Sequence, residues 1–250
     1  MTAPFPTRKQ EEWRYADLDA LKPVWGQLAD VATLTVATGE TLEEVWLPSA
    51  EPVQVRRVQI ALGDGARASI FALNTAAHYG RIELEVTLAS DADFKMFGAN
   101  IGGGASNLEI VTTVRHHGER GRSRQTVRSV LGGKAVGTYL GKVEVARGAQ
   151  KTDAEQSVKA MLLDRGAMAN CKPELEIFAD DVQCAHGATV GELDPDMLFY
   201  AASRGLDPAS ARALLLEGFV MGLWDDAANG DKSGGEAIRE AARKALRAIA

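Results

Sequence analysis

Short stretches in which apolar and polar residues alternate follow one another from about residue 55 to residue 193. Such alternation places the apolar side chains on one face of an extended chain, which is typical of half-buried β-strands. Glycine, aspartate and asparagine separate the stretches, and no long amphipathic helix interrupts them. The alternating stretches are residues 56–62, 81–88, 108–114, 125–131, 141–148, 157–163, 174–179 and 182–191.

This strand series is compatible with a sandwich, a barrel or a β-helix, because periodicity alone does not separate these architectures. The chain contains no strict hexapeptide or nonapeptide repeat, so a β-helix would be an irregular one. Two features favour the β-helix. The series is long for a single sandwich, and alanine and glycine at the strand ends suit the tight corners of stacked coils.

A helical pattern precedes the strands. A helix is expected over residues 8–22, with Trp13 among its apolar contacts. Thr7 is a suitable N-cap residue for this helix, and Pro23 would end it. The stretch from residue 31 to residue 60 is mixed and extended in character.

Further helices are expected after the strand series. Two Asp-Pro pairs, at 194–195 and 207–208, each combine an N-cap aspartate with proline at the first helical position. The second of these helices carries leucine, phenylalanine and valine over residues 214–223, an apolar surface wide enough for both the core and a partner. Residues 225–235 are predicted to be a flexible linker, and residues 235–250 an alanine-rich helix.

Composition narrows the class of protein. The 250 residues are 46% hydrophobic and carry a net charge of −6, which fits one long domain or a domain with appendages. An acidic chain of this kind is not expected to bind nucleic acid. The N-terminus lacks the apolar segment of a signal peptide, and no apolar run has membrane-spanning length. We therefore expect a cytoplasmic protein without a membrane partner, whose two cysteines are free thiols.

Familiar catalytic motifs are missing. The glycines and lysine at 132–134 resemble part of a phosphate-binding loop, but Arg128 and Ala135 stand where that loop requires glycine and serine or threonine. ATP hydrolysis by that route is not expected. The arginines between residues 115 and 128 flank two adjacent histidines that would point to opposite sides of a strand. With no aromatic residues among them, they indicate a solvated face and not an anion site.

Cys184 and His186 are the main candidates for chemistry. Residues two apart on a strand share a face and lie roughly 6.6 Å apart, so both side chains could reach one ion. They supply only two ligands, so a metal site here would need another chain or a substrate to complete it. The alternative is a packed thiol beside a hydrogen-bonded imidazole, and residue chemistry alone slightly favours this alternative. Cys171 could reach the same region only from a neighbouring strand.

Longer sequence elements in the same region identify a family. They are K-T-x-x-x-Q at 151–156, PELEIFADDV at 173–182, CAHGATVG at 184–191, LFY at 198–200 and SRGLD at 203–207. These elements resemble the SufB/SufD family of iron–sulfur cluster assembly scaffolds. PTRKQEEWRYADL near the N-terminus and FALNTA at 71–76 are similar to the SufD branch of that family.

The resemblance implies a mainly β fold. It predicts a right-handed parallel β-helix core over residues 51–193. A short N-terminal helical or extended segment, residues 1–50, would precede the core. A C-terminal helical domain that binds a SufC-like ATPase, residues 194–250, would follow it.

The resemblance also implies a scaffold and not an enzyme. Such a chain would pair with a SufB-like chain through the β-helix, and in isolation it could form a homodimer. The isolated chain would hold no cofactor stably, and iron or an iron–sulfur cluster would occupy the interface with the SufB-like chain transiently. His186 matches the interface position of the family, and Cys184 would be an accessory ligand or a packed thiol. The side chains expected to bind the SufC-like ATPase are Leu198, Phe199, Tyr200, Arg204, Leu214, Leu215 and Phe219.

Three alternatives stay open from the sequence. One is a stand-alone metal-binding enzyme that adds Asp180, Asp181 or Glu192 to Cys184 and His186. Another is a SufB-like or homodimeric variant of the same scaffold. The third is a purely structural partner whose histidine has no chemical role.

Overall fold

The described residues form a parallel β-helix. In the computed structural model, which describes residues 4–28, 30–225 and 232–249, twelve strands alternate between two six-stranded sheets. The first sheet contains β1 (Ala32–Val36), β3 (Val53–Leu62), β5 (Tyr79–Leu88), β7 (Asn107–His116), β9 (Val136–Val145) and β11 (Met168–Ile177). The second contains β2 (Thr41–Trp46), β4 (Arg67–Asn74), β6 (Asp93–Gly102), β8 (Arg122–Leu131), β10 (Asp153–Leu162) and β12 (Gln183–Glu192). The pairings are parallel and in register, so two consecutive strands make one of six coils.

Stacked turns keep the coils in register. Before strands of the second sheet, one residue of the turn adopts a left-handed conformation. Glycine fills this position at Gly39 and Gly65, whereas Asp91, Arg120 and Lys151 fill it in later turns, with φ between 56° and 60°. Side chains make this conformation unfavourable. In each of the three later turns the strained residue donates its backbone N–H to a carbonyl of the next turn, over 2.5–2.9 Å, which offsets part of that cost.

Alternate residues of both sheets fill the interior. Ile70, Leu84, Phe94 and Val127 are among the fully buried side chains of this core. Complete burial of one such side chain contributes about 1.5–3 kcal/mol. Every second residue of a strand points inward, so the apolar positions of the alternating sequence are the side chains that form the core.

The N-terminal segment covers part of the outer face of the first sheet. The rings of Trp13 and Trp25 pack edge to face with centroids 5.6 Å apart. The guanidinium of Arg81 lies 3.8 Å from the centroid of the Trp13 ring, and it pairs with Glu83 and Glu109 at 2.8 and 3.0 Å. These charged side chains point outward from the sheet and are nevertheless buried, because the segment lies over them.

The C-terminal helices cover the outer face of the second sheet. They are α3 (Pro195–Ser203), α4 (Pro208–Met221) and α5 (Lys232–Ile249). The helices α1 (Leu18–Leu21) and α2 (Trp25–Leu28) belong to the N-terminal segment. Leu216, Val220 and Trp224 pack with Phe71 and Ile101 of the sheet. In the part of the chain that the structure describes, every helix is too short or too polar to cross a membrane.

Most of the predicted architecture is confirmed, with corrections at both ends. The β-helix, the short helical start and the C-terminal helices are present, and all eight alternating stretches lie in or overlap strands. The parallel strands begin at Ala32, earlier than the expected residue 51. The N-caps are as predicted, because Asp194 accepts a hydrogen bond from Asp196 N and Asp207 accepts from Ala209 and Ser210 N.

The single helix expected over residues 8–22 is wrong. The segment forms a 3₁₀ turn at Glu11–Trp13 and then the short helix α1, whose N-cap is Asp17 and not Thr7. Segments of this length are marginal as isolated helices, so contacts with the sheet determine the path. Of the linker predicted over residues 225–235, residues 226–231 lie outside the described residues, and those from Lys232 onward belong to α5.

Candidate functional site

The last coil of the β-helix has an open edge. Within the described residues, β11 is bonded only to β9 and β12 only to β10, so one edge of each strand has no strand partner. Nine of the ten residues of β12 are exposed, including half of the Val190 side chain. Met168, the first residue of β11, and Phe178, which directly follows the strand, are 56% and 58% exposed. Apolar side chains next to unpaired backbone are typical of an interaction surface.

Cys184 and His186 lie on this edge strand. In the register of the second sheet, Cys184 is beside Ala154 and His186 is beside Gln156. Ala154 and Gln156 are buried and face the interior, so Cys184 and His186 lie on the same interior-facing row at its open end. Cys184 is half-buried against the core, whereas His186 is exposed. The shared face that the sequence predicted is therefore present in the structure.

The thiols near the open end are protonated at neutral pH. Burial raises the pKa of Cys184, and the nearby Asp153 carboxylate raises it further, against a lowering by the Ala154 backbone. Burial also raises the pKa of Cys171, which lies beside Tyr139 on β11, in the opposite sheet. A protonated thiol is a poor ligand and a poor nucleophile. The exposed imidazole of His186 is therefore a better metal ligand than the Cys184 thiol, until a bound metal displaces the thiol proton.

The described residues contain no group of three or more His, Cys, Asp or Glu side chains placed to hold a metal ion. The extra ligand that a stand-alone metalloenzyme needs, from Asp180, Asp181 or Glu192, is therefore not assembled around Cys184 and His186. The arrangement is a pair of donors on an open edge.

A buried polar cluster lies behind His186, and the sequence analysis missed it. Gln156 Nε2 donates to the hydroxyl of Tyr139 at 3.1 Å, and that hydroxyl donates to Gln125 Oε1 at 3.2 Å. The Thr112 hydroxyl is also 3.2 Å from the phenol oxygen. Burial raises the pKa of Tyr139 to about 12, so the phenol keeps its proton. The sequence does contain a sign of this cluster, because polar residues stand at strand positions where the alternation predicts apolar, inward-facing side chains.

A second exposed surface lies on α3 and α4. Phe199, Tyr200 and Leu214 are 76%, 59% and 59% exposed, and we call them, together with the exposed Met197, the helical patch. Arg204 lies against Tyr200, with its guanidinium 5.1 Å from the ring centroid and a 3.0 Å hydrogen bond to the hydroxyl. Large apolar side chains exposed together are typical of a protein-binding surface.

The other residues expected on this surface are less accessible. Leu198 and Leu215 are half-buried. Phe219 packs against the cluster between the helices and the second sheet, with the Arg128 guanidinium over its ring. The wide apolar surface of α4 is thus mostly used inside the protein, and the helical patch lies chiefly on α3.

The arginine-rich segment from residue 115 to residue 128 forms ion pairs on the outer faces. Arg115 pairs with Glu85 and Glu144, at 3.0 and 2.8 Å. Arg124 pairs with Asp153 at 2.7 Å. These pairs fit a solvated face and not a site for a bound anion.

Comparison with known proteins gives one family. Residues 26–219 match the family model described as the SUF system FeS cluster assembly, SufBD core domain. An iron–sulfur cluster assembly SufBD family protein of Synechocystis is 33% identical over 178 residues, which cover 71% of this chain and 39% of that protein. The iron–sulfur cluster assembly protein SufD of Escherichia coli is 36% identical over 112 residues, 45% of this chain and 26% of that protein. SufD of Bacillus subtilis is 31% identical over 120 residues, 48% and 28% of the two chains. The matched regions thus span 39% or less of these relatives' own lengths.

Proposed function

This chain belongs to the SufB/SufD family of iron–sulfur cluster assembly proteins, and from that premise we propose that it is a SufD-like scaffold subunit without catalytic activity of its own. The observation that carries the proposal is the position of His186, exposed on the interior-facing row of an unpaired edge strand. Two donors on an open edge make half of a metal site. A scaffold that holds its cargo between two chains needs such a half-site on each of them.

The proposed partner at this edge is a SufB-like chain. An exposed strand offers unpaired N–H and C=O groups, and a strand of another chain can pair with them. A coil added there extends the two sheets and brings the partner's inward side chains next to His186. Iron or a nascent cluster is then the transient cargo of the completed site, and a homodimer of the isolated chain would use the same edge.

The proposed second partner is a SufC-like ATPase, which binds the helical patch. The patch exposes two aromatic rings, a methionine and a leucine, and Arg204 lies against Tyr200. Aromatic residues and arginine dominate the binding energy of many interfaces. The patch and the β12 edge are formed by different residues, so each proposed partner has a surface of its own. The proposed location of the complex is the cytoplasm.

The test is a pair of histidine variants in the co-expressed complex. His186→Ala should leave folding and co-purification of both partners intact but reduce cluster formation, measured anaerobically by visible absorbance, by roughly tenfold or more. His117→Ala, which removes an exposed histidine on another coil, is the matched control and should retain wild-type absorbance. Cys184→Ser should have a smaller effect than His186→Ala, since its thiol is protonated and half-buried. Full cluster formation with His186→Ala would refute the proposed role.

A further inference from the structure

The polar cluster behind His186 contains an unsatisfied acceptor. Gln156 is 1% exposed, and its Oε1 has no hydrogen-bond partner among the described residues. Buried polar atoms are rarely left without a partner, so one that is points to a missing contact. Gln156 is also the last residue of the K-T-x-x-x-Q element, which sequence analysis used only as a family marker.

The amide of Gln156 is held in one orientation. With the Tyr139 proton directed at Gln125 Oε1, the phenol oxygen accepts from Gln156 Nε2, and the Thr112 hydroxyl is its third neighbour. Reversing the Gln156 amide would set its carbonyl oxygen against a phenol oxygen whose proton is already donated. In this arrangement the Nε2 end faces Tyr139, and the Oε1 end is the one left to meet another donor.

His186 is the donor that the register places beside it. Gln156 and His186 are direct neighbours on β10 and β12 and share the interior-facing side. Neighbouring strands lie about 4.8 Å apart, which is within reach of a glutamine amide and an imidazole. On the other side Gln156 neighbours Gln125, whose Nε2 makes no hydrogen bond to it and is itself unsatisfied. The neighbour of Cys184 on β10 is Ala154, which has no polar side chain. Of the two candidate ligands, only His186 therefore has a polar neighbour on that strand.

We propose that Gln156 is the positioning residue for His186. The two side chains are not hydrogen-bonded in the structure. A change of the His186 side-chain rotamer lets Gln156 Oε1 accept from one imidazole N–H and leaves the other ring nitrogen free, with its lone pair directed at the open edge. A neutral imidazole binds a metal through the nitrogen that carries no proton, and a hydrogen bond at the other nitrogen determines which one that is. The identity of the group that binds the free nitrogen rests on the proposed function. The contact between Gln156 and His186 does not depend on that function.

The contact is tested by the tautomer of His186 in the isolated chain. Long-range ¹H–¹⁵N spectra of a histidine-labelled chain are recorded at pH 8, and the His186 signals are assigned by their loss in His186→Ala. Gln156→Met, similar in length and without hydrogen-bonding groups, should change the ratio of the two tautomers roughly fivefold, as expected for loss of one ordinary hydrogen bond. Gln156→Glu keeps an acceptor toward His186, and its second carboxylate oxygen can take the Tyr139 proton in place of Gln125, so it should restore the wild-type tautomer.

Asn100→Leu is the matched control, because it also removes a buried interior carboxamide but lies on β6, three coils away from β12. It should leave the tautomer ratio unchanged. An unchanged ratio in Gln156→Met would overturn the inference and assign Gln156 Oε1 to a water shared with Gln125. Should Gln156→Met not fold, Gln156→Asn, which draws the amide back by one methylene, gives the same test.

The role in assembly is tested separately in the complex with both partners. Gln156→Met should reduce cluster formation without loss of either partner, and Gln156→Glu should restore it. A changed tautomer together with full cluster formation in Gln156→Met would overturn the positioning role. A full yield in His186→Ala would instead refute the proposed function, while the tautomer result would still decide the contact.

Discussion

Acid should weaken the β-helix through one buried histidine. His116 ends β7 with no exposed surface. Its Nε2 lies 2.9 Å from Ser123 Oγ, and its Nδ1 has no partner among the described residues. Nδ1 is so close to Gly121 that a Cβ there would lie 2.7 Å away. Burial, together with the smaller effect of the neighbouring His117, lowers the pKa of His116 from 6.5 to about 4.

The size and sign of the effect follow from this pKa. Between about pH 6.5 and pH 4 the unfolded chain binds a proton at His116 that the folded chain excludes, so lowering the pH favours unfolding. Each pH unit costs about 1.4 kcal/mol, and the whole window costs about 3 kcal/mol. Above pH 6.5 the imidazole is neutral in both states and contributes no pH dependence. A loss of this size is a large part of the roughly 5–15 kcal/mol that stabilises a typical domain.

The assay compares the free energy of unfolding in urea for the wild type and His116→Gln, from pH 8 to pH 4. Glutamine can still hydrogen-bond Ser123 but does not titrate. Carboxylates and the other histidines titrate equally in both proteins, so the difference between the two curves isolates His116. The wild type should lose about 3 kcal/mol more than the variant over this range, and His117→Gln, at an exposed position, should retain most of that loss. Parallel curves for the wild type and His116→Gln would refute the reasoning.

Two further predictions concern the partner surfaces. Ala188→Pro should abolish binding of a SufB-like chain in pull-down while the isolated chain stays folded, because the N–H of Gln183 points to β10 and alternation directs that of Ala188 to the open edge. Thr189→Pro changes the next residue and removes an N–H directed at β10, so it should also lower the melting temperature. Equal effects of the two substitutions on the melting temperature would contradict this register. Phe199→Ala should weaken binding of a SufC-like ATPase by roughly 30-fold, as for a hot-spot residue, measured by calorimetry. An affinity within twofold of the wild type would remove the helical patch from that interface.

The strands that sequence analysis found and those it missed differ in what covers their outer faces. β5, β7 and β9 alternate clearly because much of their outer face carries charged residues such as Glu85 and Lys142. β4 and β6 have apolar residues on both faces, since Phe71 and Ile101 point outward beneath the C-terminal helices. Alternation is lost wherever both faces are buried, so these two strands were not recognised from the pattern.

The candidate site was predictable only in part for a similar reason. The shared face of Cys184 and His186 follows from a spacing of two within one strand. The approach of Gln156 to His186 depends on the number of residues in the intervening coil, which local periodicity does not encode. Local periodicity is also insufficient for α4. The helix has more apolar residues than one buried face needs, and the pattern does not distinguish exposed Leu214 from buried Leu216.

The two ends of the β-helix handle their open edges differently, and this asymmetry supports the assignment of the site. The first coil ends in strands of five and six residues, and β2 carries Glu43 and Glu44, features that discourage further strand pairing. The last coil ends in strands of ten residues, of which β11 carries Lys172, Pro173, Glu174 and Glu176. On β12, by contrast, Glu192 is the sole acidic or basic residue apart from His186. The β12 edge is therefore unprotected, and an edge of that length is an aggregation risk unless a partner covers it. Under the proposed function, the position of His186 on this edge would couple cargo binding to complex formation, because a metal held by the imidazole would gain its further ligands from the chain that pairs there.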